Sequence, residues 1–291
     1  MQIQNSFQED DEQGTLYIVP TPIGNLEDIS YRALTILKSV NVIAAEDTRH
    51  TKKLLHYFNI STSLLSYHEH SKETRKLELL QLLQEGKDVA LVSDAGMPAI
   101  SDPGYDLIEA VIQENISVIT LPGANAALCA LVASGLSTKE FYFYGFLSRH
   151  KKEKLEEVER LKTVKATILF YESPHRLLDT LKLLKNEWGN RQATIARELT
   201  KKFEQYIRGT LSELVQWAEE NELKGEFCLV IEGNQSLIKE NNLWWGHLSV
   251  IEHVNYYIDH KAFTSKEAIK RVATERKMAK RDVYNAFHIK N

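Results

Sequence analysis

The sequence predicts an α/β protein: two α/β domains in succession, then a small helical extension. Three observations predict it. Between residues 15 and 135 an apolar run, a Pro/Gly-rich turn and a helical stretch alternate four times, the pattern of a parallel sheet with crossover helices. Past Gly135 aromatic, β-prone runs such as Phe141–Phe146 mix with amphipathic helices as far as residue 234, which reads as a second α/β domain with a mixed sheet. From Trp244 onward only helical patterns remain. The expected boundaries are a disordered acidic leader at 1–14, domains at 15–135 and 136–234, and a linker with a helical tail at 235–291.

Thr15–Val19 reads as the first strand, followed by Pro20–Asn25, a turn with two prolines and one glycine. Asp28 is the expected N-cap of a helix carrying Tyr31, Leu34, Leu37 and Val40. Val42–Ala45 is a second buried strand, ending in the ionisable cluster Glu46-Asp47-Thr48-Arg49-His50. Helices are expected over Thr51–Phe58 and Lys72–Gln84. Val89–Val92 is a short continuous apolar run of the kind buried on both faces of a parallel sheet. Ser117–Leu121 is a further strand, and Ala126–Ser134 a small-residue helix closed by Gly135.

The segment from Ser93 to Tyr105 is the foremost binding-site candidate. It packs two glycines, two prolines and two aspartates between a buried strand and a helix, and ligands of open α/β sheets sit beyond the carboxyl ends of strands. Neither G-x-G-x-x-G nor G-x-x-x-x-G-K-[ST] occurs in the chain. That weighs against NAD, FAD and ATP and favours a cofactor without phosphates, which short Pro/Gly/Ala turns still let the backbone approach closely.

In the second half, strands are expected at Ala166–Phe170, Ala193–Ala196, Glu204–Arg208 and Gly225–Gly233, with helices at Lys151–Lys162 and Leu211–Glu220. The tail reads as three helices, at Val250–Ile258, Ser265–Ala273 (capped by Ser265) and Arg281–His288. Short helices with a basic connection resemble a helix-turn-helix. Net charge is −4, but residues 261–291 hold nine Lys/Arg against three Asp/Glu. A basic end on a neutral body suits an anionic partner such as RNA. No membrane span is expected, because no run of about 18 uncharged apolar residues occurs. Cys129 and Cys228, both in apolar sequence, read as buried thiols of a reducing cytoplasm and not as a disulfide or metal pair.

Six separated motifs then occur together and in order: Pro20-Thr21-Pro22-Ile23-Gly24-Asn25-Leu26, Ala45-Glu46-Asp47-Thr48-Arg49, the Ser93–Tyr105 loop, Leu121-Pro122-Gly123, Phe170-Tyr171-Glu172-Ser173-Pro174-His175-Arg176 and Ala196-Arg197-Glu198-Leu199-Thr200-Lys201. In these the chain resembles the bacterial 16S ribosomal RNA methyltransferase I family of the tetrapyrrole-methylase superfamily. The resemblance covers roughly residues 15 to 233 and continues into the tail. It implies S-adenosylmethionine as cofactor, in a cleft between two α/β domains, and methylation of the ribose 2′-hydroxyl of a decoding-centre cytidine. It also implies 16S rRNA in the small ribosomal subunit as partner, and a homodimer.

Carried onto this sequence, the family's cofactor cleft uses Pro22 and Gly24 from the first loop and Asp94, Ala95, Gly96 and Ser101 from the second. It also uses Asn125, Ala126, Tyr171, Ala196, Arg197, Leu199, Gly225 and Phe227. Met97 stands where the family more often has Thr, and Ala124-Asn125 where it often has Pro-Ser, which predicts altered packing around the cofactor and retained activity. Methyl transfer to a hydroxyl is helped by alignment and by a nearby base. The candidates for the acceptor side are Glu46, Asp47 and Glu198, with Asp94, and Arg49 and Arg197 can hold phosphates or orient a carboxylate. Asp47→Ala or Arg49→Ala is therefore expected to spare cofactor binding and abolish methylation, as calorimetry and a methyl-transfer assay would read. Two other readings share these features: a methyltransferase acting on a precorrin-like tetrapyrrole, and a non-catalytic ribosome-associated RNA-binding factor.

Overall fold

A computed structural model describes residues 3–5, 13–68, 72–234, 244–261, 263–276 and 278–288. The acidic residues of the leader and the linker at 235–243 lie outside the described residues. The chain divides into two compact units, 1–233 and 234–291.

The first unit holds two five-stranded sheets. The first comprises β1 (Leu16–Ile18), β2 (Val42–Ala45), β3 (Ser63–Ser66), β4 (Val89–Val92) and β5 (Val118–Thr120), ordered β3-β2-β4-β1-β5. Every pairing in it is parallel. All four residues of β4 are buried, as its unbroken apolar run requires. Its crossovers include α1 (Tyr31–Ser39), α2 (Thr48–Tyr57), α3 (Lys72–Gln84) and α4 (Tyr105–Gln113). β3 escapes the sequence reading: Ser63-Leu64-Leu65-Ser66 is short and polar at both ends, and it pairs only with β2.

Local chemistry moves two helix starts. Asp28 belongs to a short 3-10 turn, Leu26–Asp28, and Ser30 caps α1 by accepting from Ala33 N at 3.0 Å. α2 begins three residues earlier than expected, because the Asp47 carboxylate caps it by accepting from Arg49 N.

The second sheet comprises β6 (Phe141–Gly145), β7 (Thr167–Glu172), β8 (Gln192–Arg197), β9 (Gln205–Thr210) and β10 (Phe227–Ile231), ordered β6-β7-β10-β8-β9. β6 and β7 are parallel and the rest antiparallel, so the sheet is mixed, as expected. α6 (Lys151–Leu161), α7 (Pro174–Trp188) and α8 (Leu211–Glu220) cover one face around Phe170, Leu181, Leu214 and Leu229. The other face is covered by α5 (Ala126–Ser134): Ala127, Ala130 and Leu131 pack on Leu169, Ala196, Cys228 and Val230. The small residues of α5, grouped by sequence with the first layer, thus let it lie close against the second. Cys228 is buried as expected, but Cys129 is exposed, on the outward side of α5.

The second unit is three helices: α9 (Val250–Lys261), α10 (Ser265–Glu275) and α11 (Lys280–His288). They bury Val254, Ala268, Ile269, Val272 and Val283. Thr264, not Ser265, caps α10, in a capping box with Glu267.

Candidate active site

β1 and β4 lie side by side, yet the chain leaves them in opposite directions: from β1 toward β2, and from β4 past β1 to β5. A crevice opens at such a switch point, beyond the carboxyl ends of the strands. The loops leaving the two strands are stitched together there. Thr21 N donates to Gly96 O and Gly96 N to Thr21 O, each at 3.0 Å, and Thr21 Oγ1 donates to Ser93 O at 3.1 Å. Gly96 sits at φ +82°, where a side chain is strained. Further along, Ala99 (φ +65°) and Ser101 (φ +63°) hold left-handed backbone without being glycine. Each costs roughly 1–2 kcal/mol, and such strain concentrates where a loop must aim its side chains.

These loops form one side of a cavity of about 410 Å³, within the range of small-molecule sites. The second sheet forms the other, through Tyr171 to Pro174 at the end of β7 and just past it, Ala196 and Leu199 at the end of β8, and Gly225 to Cys228 entering β10. Among the described residues five carboxylates line it, Glu46, Asp94, Asp102, Glu172 and Glu226, and no Lys, Arg or His does. Glu172 is fully engaged: it accepts from Thr180 Oγ1 at 2.6 Å and from Ser173 N at 2.9 Å, and it faces Arg176 at 3.5 Å. Glu226 pairs with Lys201 at 2.9 Å. Burial pushes the Asp102 carboxyl up to about 6; a hydrogen bond from Ser93 works against the shift and the negative Asp94 adds to it. The Tyr171 phenol, pushed up to about 12 mainly by burial, accepts from Ala127 N at 3.3 Å and so fastens β7 to the start of α5.

Of the residues singled out by sequence, Glu46, Asp94, Ala95, Gly96, Ser101, Asn125, Ala126, Tyr171, Ala196, Leu199, Gly225 and Phe227 line the cavity. Pro22 and Gly24 do not; Ile23 between them does. Gly24 instead packs on the loop after β8, where a Cβ would stand 2.5 Å from Lys201 Cγ and 2.7 Å from Thr200 Oγ1. The adjacent Asn25 N donates to Thr200 Oγ1 at 2.9 Å, clasping the two loops. Arg197 also lies outside the lining, its Nε donating to Lys224 O at 2.8 Å.

The other acceptor-side candidates stand around the cavity without lining it. Asp47 and Arg49 form a two-bond pair, Nε to Oδ1 at 3.0 Å and the guanidinium NH2 to Oδ2 at 2.7 Å, which holds the Asp47 carboxyl far below the usual range. Asp47 N donates to Asp94 Oδ1 at 3.1 Å, which ties this pair to the cavity wall. Glu198 (φ +50°) accepts from Lys201 Nζ and Glu226 N, each at 2.9 Å. Burial raises its carboxyl, and these partners outweigh burial and hold it below its ordinary value. In this geometry Glu198 is a strut between the β8 and β10 loops. Gly225 (φ +89°) leaves room for it: a Cβ there would stand 2.5 Å from Glu198 Cδ. Gly225→Ala is expected to destabilise the protein by roughly 1–2 kcal/mol from the backbone alone and to dislodge the strut. Urea unfolding measures the first effect, and cofactor titration the second.

Glu226, expected in the cleft with Gly225 and Phe227, and Met97, expected to alter packing around the cofactor, both line the cavity. Within the Ser93–Tyr105 segment sequence reasoning does not single out Asp102 and Ile100, and it misses Phe146, Cys228 and the Glu172–Pro174 turn as lining. Asp102 had a signal: it sits in Ser-Asp-Pro-Gly, where the prolyl ring and a glycine at φ +144° fix the backbone around it. Met97 both lines the cavity and packs on the core around Leu16 and Leu91, so its length is used to bridge the site and the sheet.

Residues 15–215 match the family of Tetrapyrrole (Corrin/Porphyrin) Methylases. A protein of Halalkalibacterium halodurans called ribosomal RNA small subunit methyltransferase I is 56% identical over 288 residues, covering 99% of both chains. The protein of that name from Bacillus subtilis is 54% identical, covering 99% of this chain and 98% of its own. This chain belongs to the ribosomal RNA small subunit methyltransferase I family. It is therefore a methyltransferase of the tetrapyrrole-methylase fold. Among solved structures, uroporphyrin-III C-methyl transferase from Thermus thermophilus, in complex with S-adenyl homocysteine, superposes with a TM-score of 0.54 at 17% identity. That match covers 75% of this chain and 97% of the other and speaks for the fold. The six motifs that mark the family fall on the strand ends and loops around the cavity, apart from Leu121-Pro122-Gly123, which follows β5.

Proposed function

We propose that the protein transfers a methyl group from S-adenosylmethionine to the ribose 2′-hydroxyl of a decoding-centre cytidine of 16S rRNA. One observation carries the cofactor assignment: a cavity at the switch point whose charged lining, among the described residues, consists of carboxylates alone. Such a lining repels phosphates and suits a ligand bearing a sulfonium and an ammonium group. Apolar walls from Ile23, Met97, Leu199 and Phe227 suit its adenosyl part. The S-adenyl homocysteine held by a protein of the same fold, and the names of the relatives, support the same reading.

The cofactor supplies an electrophilic methyl carbon: the C–S bond breaks with its electron pair going to sulfur as the C–O bond forms. The chain supplies alignment and a proton acceptor. Among the lining carboxylates, Asp102 is set apart by the burial that raises its carboxyl, and it takes the 2′-hydroxyl proton in this reading. Asp94 holds the start of α2 through Asp47 N. The exposed Arg49 guanidinium, 88% accessible, offers donors to a phosphate of the RNA. The protein acts in the cytoplasm on the small ribosomal subunit, as a homodimer.

The experiment is methylation of small ribosomal subunits that lack the mark, followed by mapping of the modified nucleotide. A 2′-O-methyl cytidine in the decoding centre is the expected product. Methylation of a base, or of a precorrin-like ring in place of RNA, would refute the reading. Arg49→Ala is expected to lower turnover at least tenfold (on the order of one charge-assisted contact) with S-adenosylmethionine affinity unchanged.

A further inference from the structure

A second hollow, of about 270 Å³, lies away from the active-site cavity, between the 3-10 turn at Leu26–Asp28, the start of α1 and the end of α2. Two aromatic rings stand at it, Tyr31 at 92% and Tyr57 at 61% exposure. Leu26, Ile29, Leu34 and Phe58 form the rest of its apolar lining, with the Glu27 carboxylate beside them. The sequence of α2 leads from one hollow to the other. It starts beside Glu46, which lines the active-site cavity, and ends at Tyr57 and Phe58, which line this one.

Along that helix Arg49, Lys52, Lys53, His56 and Tyr57 are all exposed. Their spacing of 0, 3, 4, 7 and 8 puts them on one face. The opposite face buries Thr51 and Leu55. α2 contains no acidic residue, and among the described residues neither Lys52 nor Lys53 has an ion-pair partner. A merely solvated helix face usually interleaves both signs; this one is a cationic stripe with an aromatic hollow at its far end.

We propose that the hollow seats an unpaired base of the RNA substrate, with the intervening phosphates lying along the cationic stripe of α2. Every base has a π-face, so stacking on Tyr31 and Tyr57 tolerates sequence, and the basic groove tracks the backbone. The Glu27 carboxylate can accept from an exocyclic amine of the seated base. The helix is about 15 Å long, which places the seated base a few nucleotides from the reacting ribose. The inference rests on the reading that the substrate is RNA, and adds where a flanking nucleotide is held.

The test is steady-state methylation of small ribosomal subunits lacking the mark, as a function of subunit concentration. Tyr31→Ala and Tyr57→Ala are each expected to raise KM about tenfold, with kcat and S-adenosylmethionine affinity unchanged. Tyr57→Phe, which keeps the ring, restores KM. Lys52→Ala with Lys53→Ala raises KM and flattens its dependence on salt. Tyrosine variants with wild-type KM, or ones whose only change is loss of self-association by sedimentation, overturn the proposal; the latter assigns the hollow to a second copy of the chain. A wild-type protein that methylates no RNA overturns the substrate reading as well.

Discussion

Asp102→Asn abolishes methyl transfer and leaves a protein more stable at neutral pH than the wild type. Both expectations come from one placement. Buried beside Asp94, the Asp102 carboxyl ionises at about 6 in the folded protein against an ordinary 3.8. A base of that strength is ionised at physiological pH and still receives a proton readily, so loss of it is expected to slow the reaction by about 10²- to 10⁴-fold. The wild-type rate should rise with pH through about 6 and then level, while the low residual rate of the variant stays flat there. For stability the direction is opposite. Between about pH 4 and 6 the folded state still holds a proton that the unfolded chain has released, so ionising Asp102 works against folding as pH rises. Asn carries no such penalty: the variant should match the wild type near pH 4 and exceed it above pH 6. Urea titrations at the two pH values, with turnover on small subunits, measure both. Full turnover by the variant would remove Asp102 from the mechanism.

Arg276→Met is expected to melt the 234–291 unit while the first unit stays folded. The Arg276 guanidinium donates to the carbonyls of Trp245, Leu248 and Ser249, lies 4.9 Å from the Trp245 ring centroid, and donates through Nε to His253 Nδ1 at 3.1 Å. Because Nδ1 accepts, the one proton of neutral His253 sits on Nε2, facing Glu275 Oε2 at 3.1 Å. Glu275 in turn accepts from Tyr257 and Arg271. Removing the arginine strands the Leu248 carbonyl and a buried ring nitrogen, while the Trp245 and Ser249 carbonyls keep Leu248 N and His253 N as donors. The loss is roughly 3 kcal/mol, large for a unit with so small an apolar core. Burial, and then the charge of Arg276, lower the pKa of His253 despite Glu275. The unfolded chain therefore takes up a proton first, and the stability of this unit falls as pH drops below about 6.5. Hydrogen exchange of residues 244–288 at pH 7.5 and 5.5 reads both effects. Protection in the variant equal to wild type would contradict the first.

The sequence shows the fold far more readily than the site. β4, α3, α5 and α8 follow from local patterns strong enough to stand alone, such as the unbroken apolar run at Val89–Val92. β3 is hidden because it lies at the sheet edge, with only β2 to satisfy and no demand for apolar residues at its ends. Of the backbone-dominated parts of the site, Asp94–Gly96 is visible because glycine and a short turn mark close approach, whereas Asn125–Ala126 enters only through the family resemblance. The roles of charged residues are not, because they depend on neighbours distant in the chain. Glu198 looks reactive beside Arg197, yet it braces Glu226 N and Lys201. Asp102 looks like a turn residue and becomes the carboxylate with the raised pKa only through the burial it meets in the folded cavity wall.

The strand orders also set a timetable for synthesis. β1, the first strand made and flanked on both sides in its sheet, pairs with Val89–Leu91 and Val118–Thr120, so Leu16–Ile18 leaves the ribosome long before either neighbour exists. The second sheet repeats the problem in reverse. Its central strand is β10, which joins β7 to β8 and is made last. Until Phe227–Ile231 has been translated, β6-β7 and β8-β9 are separate pairs with open edges, and the cavity lacks the side supplied by Gly225–Cys228. A nascent chain stalled before that point carries unpaired apolar strands and no site, so premature termination anywhere upstream yields a substrate for chaperones and proteases, with no partly active enzyme.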